Sequence, residues 1–354
     1  MTSSLSLPPA ILRSFSLPVQ STNTAQLLPG GQGNSILLPH SNVVLKRIQD
    51  AAEAEHAAAI QHQLYHLQAK QEKQKGKREY QVAEPLVVTS NTATTVTNDG
   101  DGEGAVGATG YVAGDTWTAA RVIPGRPDPG TGRWEEILHA SRALHRDLRE
   151  LFGGVRHFEH PSFMRERGNR WAMGDRVAWE LEEAGGEDVD VRTHTIPTVS
   201  FIAEEGYKEI FRQLISLREP IDMTKSVSQL VHGDMTGNVL FTNYKREYSA
   251  GKDEGEEQEH QPVPGIIDFS LYFRPVEFAE AVIVADGLLW YDAGEELVRL
   301  VGVDRYRLQM LVRALIFRLV ASSEGERETG IVDEVEQDRF KRAVGLVGRL
   351  LRDV

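Results

Sequence analysis

The stretch LVHGDMTGNVLF, residues 230–241, decides the expected fold: it carries a histidine, an aspartate and an asparagine in a glycine-punctuated turn that enters an apolar strand. A second stretch, GIIDFS at residues 265–270, places another aspartate at the end of a β-branched run. Two strands of one hairpin would bring Asp234, Asn238 and Asp268 to a single edge. Their oxygen atoms suit a hard cation such as Mg²⁺.

These three side chains match the needs of phosphoryl transfer. One carboxylate orients the attacking hydroxyl, while an asparagine and a second carboxylate hold Mg²⁺ on the β- and γ-phosphates of a nucleotide. We assign the first role to Asp234 and the metal-binding role to Asn238 and Asp268. His232 belongs to the same loop, and we expect it to brace the loop by hydrogen bonds because phosphoryl transfer needs no imidazole base.

The first part of the chain is expected to be β-rich. Residues 25–48 hold three short apolar or β-branched runs, which PGGQG and PHSN separate at hairpin spacing. We expect a strand, a glycine loop, a strand, a turn and a strand. A helix should follow from residue 51, because alanine, glutamate and glutamine dominate there. Residues 80–88 and 110–123 are predicted as two more strands, which gives a five-stranded antiparallel sheet with one helix.

The rest of the chain is expected to be mostly helical, because longer amphipathic or apolar runs replace the short strands after residue 124. We therefore divide the chain into a β-rich lobe, residues 1–120, and a helical lobe, residues 121–354, which carries the catalytic hairpin. The polar stretches 89–109 and 245–261 are predicted as flexible surface loops.

One charged residue interrupts an apolar helix in this second part. The run EFAEAVIVADGLLWY is apolar nearly all round, so it should lie inside the helical lobe. A buried carboxylate is costly unless it has a partner. We therefore expect Asp286, within this run, to be either paired or at an edge.

Composition limits the partners of the protein. The 354 residues include 52 acidic and 39 basic side chains and carry a net charge of −13, which argues against nucleic acid or an anionic membrane surface as the main partner. No run of 18 or more mainly apolar residues occurs, so we expect no membrane span. The absence of cysteine excludes disulfides, thiolate metal sites and cysteine nucleophiles, and it fits a reducing compartment such as the cytoplasm. The expected partner is a small molecule.

The order of these motifs resembles the aminoglycoside phosphotransferase family. HGD…N followed by IIDF looks like the catalytic and metal-binding segments of that family. The resemblance covers most of the chain and implies an α+β, two-lobed, protein-kinase-like fold with an antiparallel β-rich N-lobe and a helical C-lobe. It also implies ATP and Mg²⁺ as cofactors and transfer of the γ-phosphoryl group to a hydroxyl of a small molecule. The chain looks closest to a subgroup with an LPGGQG loop, for which an aminoglycoside substrate is not established.

The same resemblance assigns the residues that hold the nucleotide phosphates. LPGGQGNS, residues 28–35, would be the glycine-rich loop over the phosphates, with Gly30, Gly31 and Gly33. The VVLK strand resembles the V-A-I-K strand of kinases, whose lysine, here Lys46, contacts the α- and β-phosphates.

Two further assignments follow from the resemblance. A glutamate on the helix after Lys46 would brace that lysine. Glu53 and Glu55 point about 200° apart on a helix of 3.6 residues per turn, so only one can face Lys46, and we favour Glu55. The WTAAR segment matches the strand and hinge whose backbone holds adenine, which assigns Thr118 and Ala119 to adenine binding.

Three features depart from the family pattern. Three residues separate Asp234 from Asn238, where the pattern H-R-D-x-x-x-x-N has four, so we expect a tighter loop. Ser270 replaces the glycine of D-F-G, and GGQG packs the glycines of the phosphate loop together. These departures leave a second interpretation open, in which the protein is a kinase-like pseudoenzyme that acts as a nucleotide-binding or protein-interaction module.

Overall fold

The computed structural model describes most of the chain. The described residues are 7–28, 35–76, 78–89, 110–127, 132–153, 164, 167–183, 203–222, 226–242 and 263–354. The predicted phosphate-loop residues Gly30, Gly31 and Gly33 lie outside them, as do nearly all residues of the two predicted loops, 89–109 and 245–261.

Helices and strands alternate along the first third of the chain, and helices dominate the rest. The helices are α1 (Pro9–Ser14), α2 (Ala51–Lys75), α3 (Trp134–Phe152), α4 (Arg170–Glu183), α5 (Glu205–Leu217), α6 (Val276–Trp290), α7 (Glu295–Val301), α8 (Arg305–Thr329) and α9 (Glu334–Arg352). The strands are β1 (Gln26–Leu27), β2 (Ser35–Leu38), β3 (Val43–Arg47), β4 (Gln81–Val82), β5 (Trp117–Arg121), β6 (Arg126–Pro127), β7 (Ser228–His232), β8 (Val239–Phe241), β9 (Gly265–Ile266) and β10 (Leu271–Pro275). Within the described ranges, no helix is long and apolar enough to cross a lipid bilayer.

Contacts between residues divide the chain into two units. The first unit consists of Met1–Gly125 and Thr242–Phe269, and the second of Arg126–Phe241 and Ser270–Val354. The division after Gly125 lies at the change of composition near residue 124 and beyond residue 120, where the predicted β-rich lobe ends. The second half of the predicted catalytic hairpin is also placed differently, because Asp268 belongs to the first unit and not to the helical one.

An antiparallel sheet forms the centre of the first unit. Its strands follow the order β1, β2, β3, β5, and its register places Lys46 opposite Thr118. Along β3, Val43 and Leu45 are buried while Val44 and Lys46 are only partly buried. This alternation is typical of a strand with one covered face. The predicted strands β1, β2 and β3, and the helix α2 that follows them, are confirmed.

Two predicted strands are shorter than expected. Within residues 80–88 only β4 forms a ladder, and it runs parallel to β9. Pro85 makes a single isolated bridge because it lacks a backbone N–H. Strand β5 starts only at Trp117, because Gly114 and Asp115 have left-handed φ values of 55° and 56° and turn the chain just before it. The antiparallel sheet in the described part of this unit therefore has four strands and not the predicted five.

Helix α1 is a second helix of the first unit, where the sequence predicted one. It has six residues, which is too few to show a helical period. Pro9 occupies its first turn, where a missing N–H costs nothing. Ile11 and Leu12 are buried in the same apolar core as Leu38 and Leu45 of the sheet, so α1 stabilises the unit through packing.

Helix α8 organises the second unit. Helices α4, α5, α6 and α9 all pack against it, and Trp179, Phe278 and Phe317 lie in their shared core. Strands β7 and β10 pair antiparallel, with His232 opposite Leu271. The HGD loop begins at His232, the last residue of β7, so this pair of strands fixes where the loop starts.

Candidate active site

In the first unit, Lys46 and Asp268 form an ion pair. They lie 222 residues apart in the sequence, and Lys46 Nζ donates to Asp268 Oδ1 at 2.7 Å. Both side chains are 42% exposed, so the pair contributes little to the stability of the fold. The structure thus brings together the lysine predicted to bind phosphates and one of the predicted metal ligands.

Asp268 owes its position to an uncommon backbone conformation. Its φ is 52°, in the left-handed region that aspartate tolerates better than most residues other than glycine. Non-glycine residues with this conformation cluster at functional sites, where the surrounding structure holds them. The turn after β9 therefore presents a carboxylate to Lys46.

Glu55, the predicted brace of Lys46, accepts hydrogen bonds from the backbone of its own unit. Its Oε2 accepts the backbone N–H of Tyr111 at 2.7 Å and that of Val112 at 3.0 Å. These bonds tie α2 to the segment before β5, and the ion pair of Lys46 is made with Asp268 instead. No described contact joins Glu55 to Lys46, and the role of Glu55 as the brace of Lys46 stays a prediction.

Thr118 and Ala119 lie in the middle of β5 and not at its end. Thr118 is opposite Lys46 in the ladder with β3, and the carbonyl of Ala119 accepts the N–H of Leu86 on the other side of the strand. Both edges of β5 are thus used within the first unit. A hinge must offer backbone groups that the sheet does not use, and the role of Thr118 and Ala119 in holding adenine stays a prediction.

In the second unit, two glycines shape the HGD loop. A Cβ on Gly233 would lie 2.5 Å from the ring of Tyr272, so no larger residue fits there. Gly237 has a φ of 81°, a conformation that glycine adopts without strain. The N–H of Asn238 then closes the turn on the carbonyl of Met235 at 3.0 Å. This turn accounts for the short spacing between the aspartate and the asparagine.

Two buried histidines support the loop. The Nδ1 of His232 accepts the N–H of Asp234 at 3.2 Å, and the N–H of His232 donates to the Nε2 of His145 on α3 at 3.0 Å. Burial, and then the nearby His232, lower the pKa of His145 to about 3. His145 is therefore neutral, which is the state in which its Nε2 can accept a hydrogen bond.

Asp234 and Asn238 are in direct contact. The Nδ2 of Asn238 donates to the backbone oxygen of Asp234 at 2.7 Å and to its Oδ2 at 3.1 Å. Among the described contacts, Asn238 uses its amide nitrogen only, so its amide oxygen remains available as a ligand. The side chain of Asp234 is 42% exposed. A small acceptor molecule can therefore reach this carboxylate.

Asp234 also contacts a buried arginine. The Nη2 of Arg318, on α8, donates to Asp234 Oδ1 at 2.7 Å, and Arg318 grips Asp286 with two nitrogens. Burial raises the pKa of Asp286 to about 6, although Arg318 opposes that shift. Burial lowers the pKa of Arg318, but Asp286 and Asp234 outweigh it and hold that pKa above its usual range. At neutral pH Arg318 and Asp286 are therefore both charged.

Sequence analysis missed His145 and Arg318 as parts of this site. Arg318 is a charged residue in an apolar run of α8, and His145 lies on the buried face of the amphipathic helix α3. The neighbouring sequence does not indicate the partner of either residue. Asp286 was expected to be paired or at an edge, and the structure shows it paired with Arg318. The available signal was that two apolar helices each contain one charged residue of opposite sign, because buried charges need a partner.

The chain matches no family model and no curated protein, but it matches solved structures. An aminoglycoside phosphotransferase from Alicyclobacillus acidocaldarius superposes with a TM-score of 0.50, over 99% of this chain and 97% of that chain, at 15% sequence identity. A putative aminoglycoside phosphotransferase from Ralstonia eutropha gives 0.46 over 93% and 91%, at 10% identity. A streptomycin–ATP–APH(2″)-IIa ternary complex gives 0.36 over 92% and 93%, at 13% identity.

The first of these structures superposes more closely than the other two. At 15% identity, this match shows a similar fold and nothing about activity. The chain has the protein-kinase-like fold of that structure, and the predicted α+β, two-lobed fold class is confirmed.

Proposed function

We propose that this protein is a phosphotransferase that uses ATP and Mg²⁺ to phosphorylate a hydroxyl group of a small molecule. The observation that carries the proposal is the ion pair of Lys46 with Asp268, which the fold assembles from residues 222 positions apart at 2.7 Å. An exposed pair adds little stability, so a role in binding explains this pair better than a role in folding. A lysine can bind nucleotide phosphates, and a neighbouring carboxylate can bind their metal ion. The protein-kinase-like fold supports the same proposal.

The residues present fit Mg²⁺. Asp268 would supply a carboxylate, and the amide oxygen of Asn238 is a ligand of the same kind. Mg²⁺ is usually bound by one or two protein oxygens together with waters and substrate phosphates. It does not need a cage of protein ligands, and the described residues contain no group of three or more His, Asp or Glu side chains that could form one. When bound, the ion would neutralise negative charge on the β- and γ-phosphates.

The other roles fall to side chains already positioned. Lys46 would donate to the nucleotide phosphates, as its exposed ammonium now donates to Asp268. Asp234 would accept a hydrogen bond from the acceptor hydroxyl, orient it, and take its proton. Most of the rate enhancement would come from positioning and charge neutralisation, because phosphoryl transfer needs no covalent step on the protein.

The test of this proposal is the substitution Asp268→Asn. ATP with Mg²⁺ should stabilise the wild-type protein by about 2.7 kcal/mol when it is present at about 100 times its Kd, and the same concentration of ATP with EDTA should stabilise it less. Asparagine tolerates the left-handed backbone of Asp268 but removes the negative charge. We expect the variant to lose the Mg²⁺-dependent part of the thermal shift and to keep the part that Lys46 supports.

A matched control separates metal binding from backbone effects. Asp115 is an exposed aspartate of the same unit with a similar φ of 56°, so Asp115→Asn should leave both shifts unchanged. If ATP does not stabilise the wild-type protein at all, the nucleotide site is absent. If ATP stabilises it equally with and without Mg²⁺, the protein is the nucleotide-binding pseudoenzyme of the alternative interpretation.

A further inference from the structure

A buried arginine adjoins the HGD loop. Arg318 lies in the middle of α8, within a run of apolar residues, and is 2% exposed. A buried ion pair can often be replaced by apolar side chains of similar volume without loss of stability. Packing alone therefore does not explain an arginine at this position, and its contacts indicate a further role.

The guanidinium of Arg318 bridges two carboxylates. Its Nε donates to Asp286 Oδ1 at 2.6 Å, and its Nη2 donates to Asp286 Oδ2 at 2.7 Å. The same Nη2 donates to Asp234 Oδ1 at 2.7 Å. The bond to Asp234 therefore shares a nitrogen with a two-point grip, which fixes the plane and the direction of the donor.

Aromatic rings surround the same guanidinium. Its Cζ lies 5.2 Å from the ring centre of Trp171, 5.4 Å from that of Trp290 and 4.9 Å from that of Phe317. Rings at these distances attract a cation and exclude water. Arg318 is thus held by ion pairing and by packing, so the position of its Nη2 is set by the core of the second unit.

The two oxygens of Asp234 differ as a result. Among the described contacts, Oδ1 accepts from the buried Arg318 at 2.7 Å, whereas Oδ2 accepts a longer bond of 3.1 Å from Asn238. We infer that Arg318 is a positioning residue for phosphoryl transfer: it clamps Oδ1 of Asp234 so that Oδ2 faces the acceptor hydroxyl, and Asp286 anchors the clamp. This inference rests on the proposed function of Asp234.

A structural role for Arg318 makes a different prediction. If Arg318 only neutralises Asp286, removing both charges together should restore a normal protein. If Arg318 also orients Asp234, the same double change should restore stability but not activity. The variant Arg318→Met with Asp286→Leu separates the two roles, because it leaves no unpaired charge in the core.

The second unit offers a matched control. Arg274 and Asp175 form another two-point pair, at 2.9 and 2.7 Å, and Arg274 also lies over a tryptophan, Trp179. This pair makes no described contact with Asp234. The control variant Arg274→Met with Asp175→Leu removes the same charges and leaves the orientation of Asp234 unchanged.

The experiment measures Mg²⁺-dependent ATP hydrolysis, with water as the acceptor, and urea unfolding of the same variants. For Arg318→Met with Asp286→Leu, we expect an unfolding midpoint near that of the wild type, an unchanged KM for ATP, and a kcat lowered by about 10- to 100-fold, as for a misplaced catalytic group. The control should keep the wild-type kcat. A wild-type kcat in the Arg318 variant as well would overturn the inference.

Failure of the proposed function can be told apart from failure of this inference. The proposed function fails if ATP does not stabilise the wild type in the thermal-shift test. In that case, or if the wild type hydrolyses no ATP, a double-mutant cycle between Asp234→Asn and Arg318→Met in an Asp286→Leu background tests the clamp instead. Loss of Arg318 should lower the unfolding midpoint more when residue 234 is aspartate than when it is asparagine. Equal losses would show that Arg318 does not hold Asp234, and the inference would be refuted.

Discussion

Acidification should destabilise this protein through one histidine. His145 is 1% exposed, and its Nε2 accepts the N–H of His232, the residue at the start of the HGD loop. Ser141 lies 3.3 Å from its other ring nitrogen. Protonation of Nε2 would replace this hydrogen bond by two N–H groups that face each other and would place a charge in the core. The folded protein therefore resists protonation of His145.

The size of the effect follows from the two pKa values. Burial and His232 lower the pKa of His145 to about 3 in the folded state, whereas histidine in an unfolded chain has a pKa of about 6.5. The folded pKa is the lower one, so the unfolded state binds the proton first and stability falls as the pH drops below 6.5. Each pH unit in this range lowers the free energy of unfolding by about 1.4 kcal/mol, which gives about 2 kcal/mol at about pH 5.

Asp286 changes the free energy of unfolding in the opposite direction as the pH falls, and its effect must be separated from that of His145. Burial raises the pKa of Asp286 to about 6, above its value in an unfolded chain, so the folded state takes up that proton first and gains stability as the pH falls through 6. The quantity to measure is therefore the difference between the wild type and His145→Gln. Glutamine can still accept the N–H of His232, but it does not titrate.

Urea unfolding at about pH 8 and about pH 5 provides the assay. Between these conditions the wild type should lose about 2 kcal/mol more than His145→Gln. His139 is an exposed histidine on the same helix, so His139→Gln should behave like the wild type. If all three proteins lose the same stability, His145 either titrates normally or is already protonated, and its assigned role as a neutral acceptor is wrong.

Three further changes have definite expected outcomes. Asp234→Asn should keep the thermal shift with ATP and Mg²⁺ but abolish transfer of labelled phosphate to any acceptor, because only the orienting carboxylate is lost. Gly174→Ala should lower the free energy of unfolding by about 1–3 kcal/mol, because its Cβ would lie 2.5 Å from the carbonyl oxygen of Phe317; Gly345→Ala, with nothing within 4 Å, should not. Glu55→Ala should cost about 1–3 kcal/mol in urea unfolding by leaving two N–H groups unpaired, yet leave the ATP-dependent thermal shift intact.

Local patterns were enough to predict the elements around Lys46. The runs that became β2 and β3 are separated by a turn of Pro, His, Ser and Asn, and Asn42 adopts the left-handed φ of 51° that such a turn needs. Helix α2 begins where Asp50 caps it by accepting the N–H of Glu53. These signals lie within a few residues of the structure that they determine, so a single sequence contains them.

Long-range pairing was not predictable in the same way. Strand β4 has two residues, and its parallel partner β9 lies far along the chain, so no periodicity in either stretch reveals the pair. The position of Glu55 on α2 predicted that it would pair with Lys46. In the structure its carboxylate accepts hydrogen bonds from the backbone N–H groups of Tyr111 and Val112, which follow it by more than fifty residues and could not be identified as partners from the sequence. Motif order identified Asp234, Asn238, Asp268 and Lys46 as candidates, and it contained no information about which side chains surround them.

The ion pairs Lys46–Asp268 and Arg318–Asp286 differ in exposure to solvent, and this difference fits their proposed roles. Lys46 and Asp268 are each 42% exposed, and an exposed pair contributes about 0–1 kcal/mol. In the proposed function both would exchange this contact for phosphate and metal, and a weak pair permits that exchange. Arg318 and Asp286 are each 2% exposed, and removing one partner of such a pair costs about 3–5 kcal/mol. In the proposed function Asp234 would keep one orientation through every turnover, and it is bound to the pair that is costly to break.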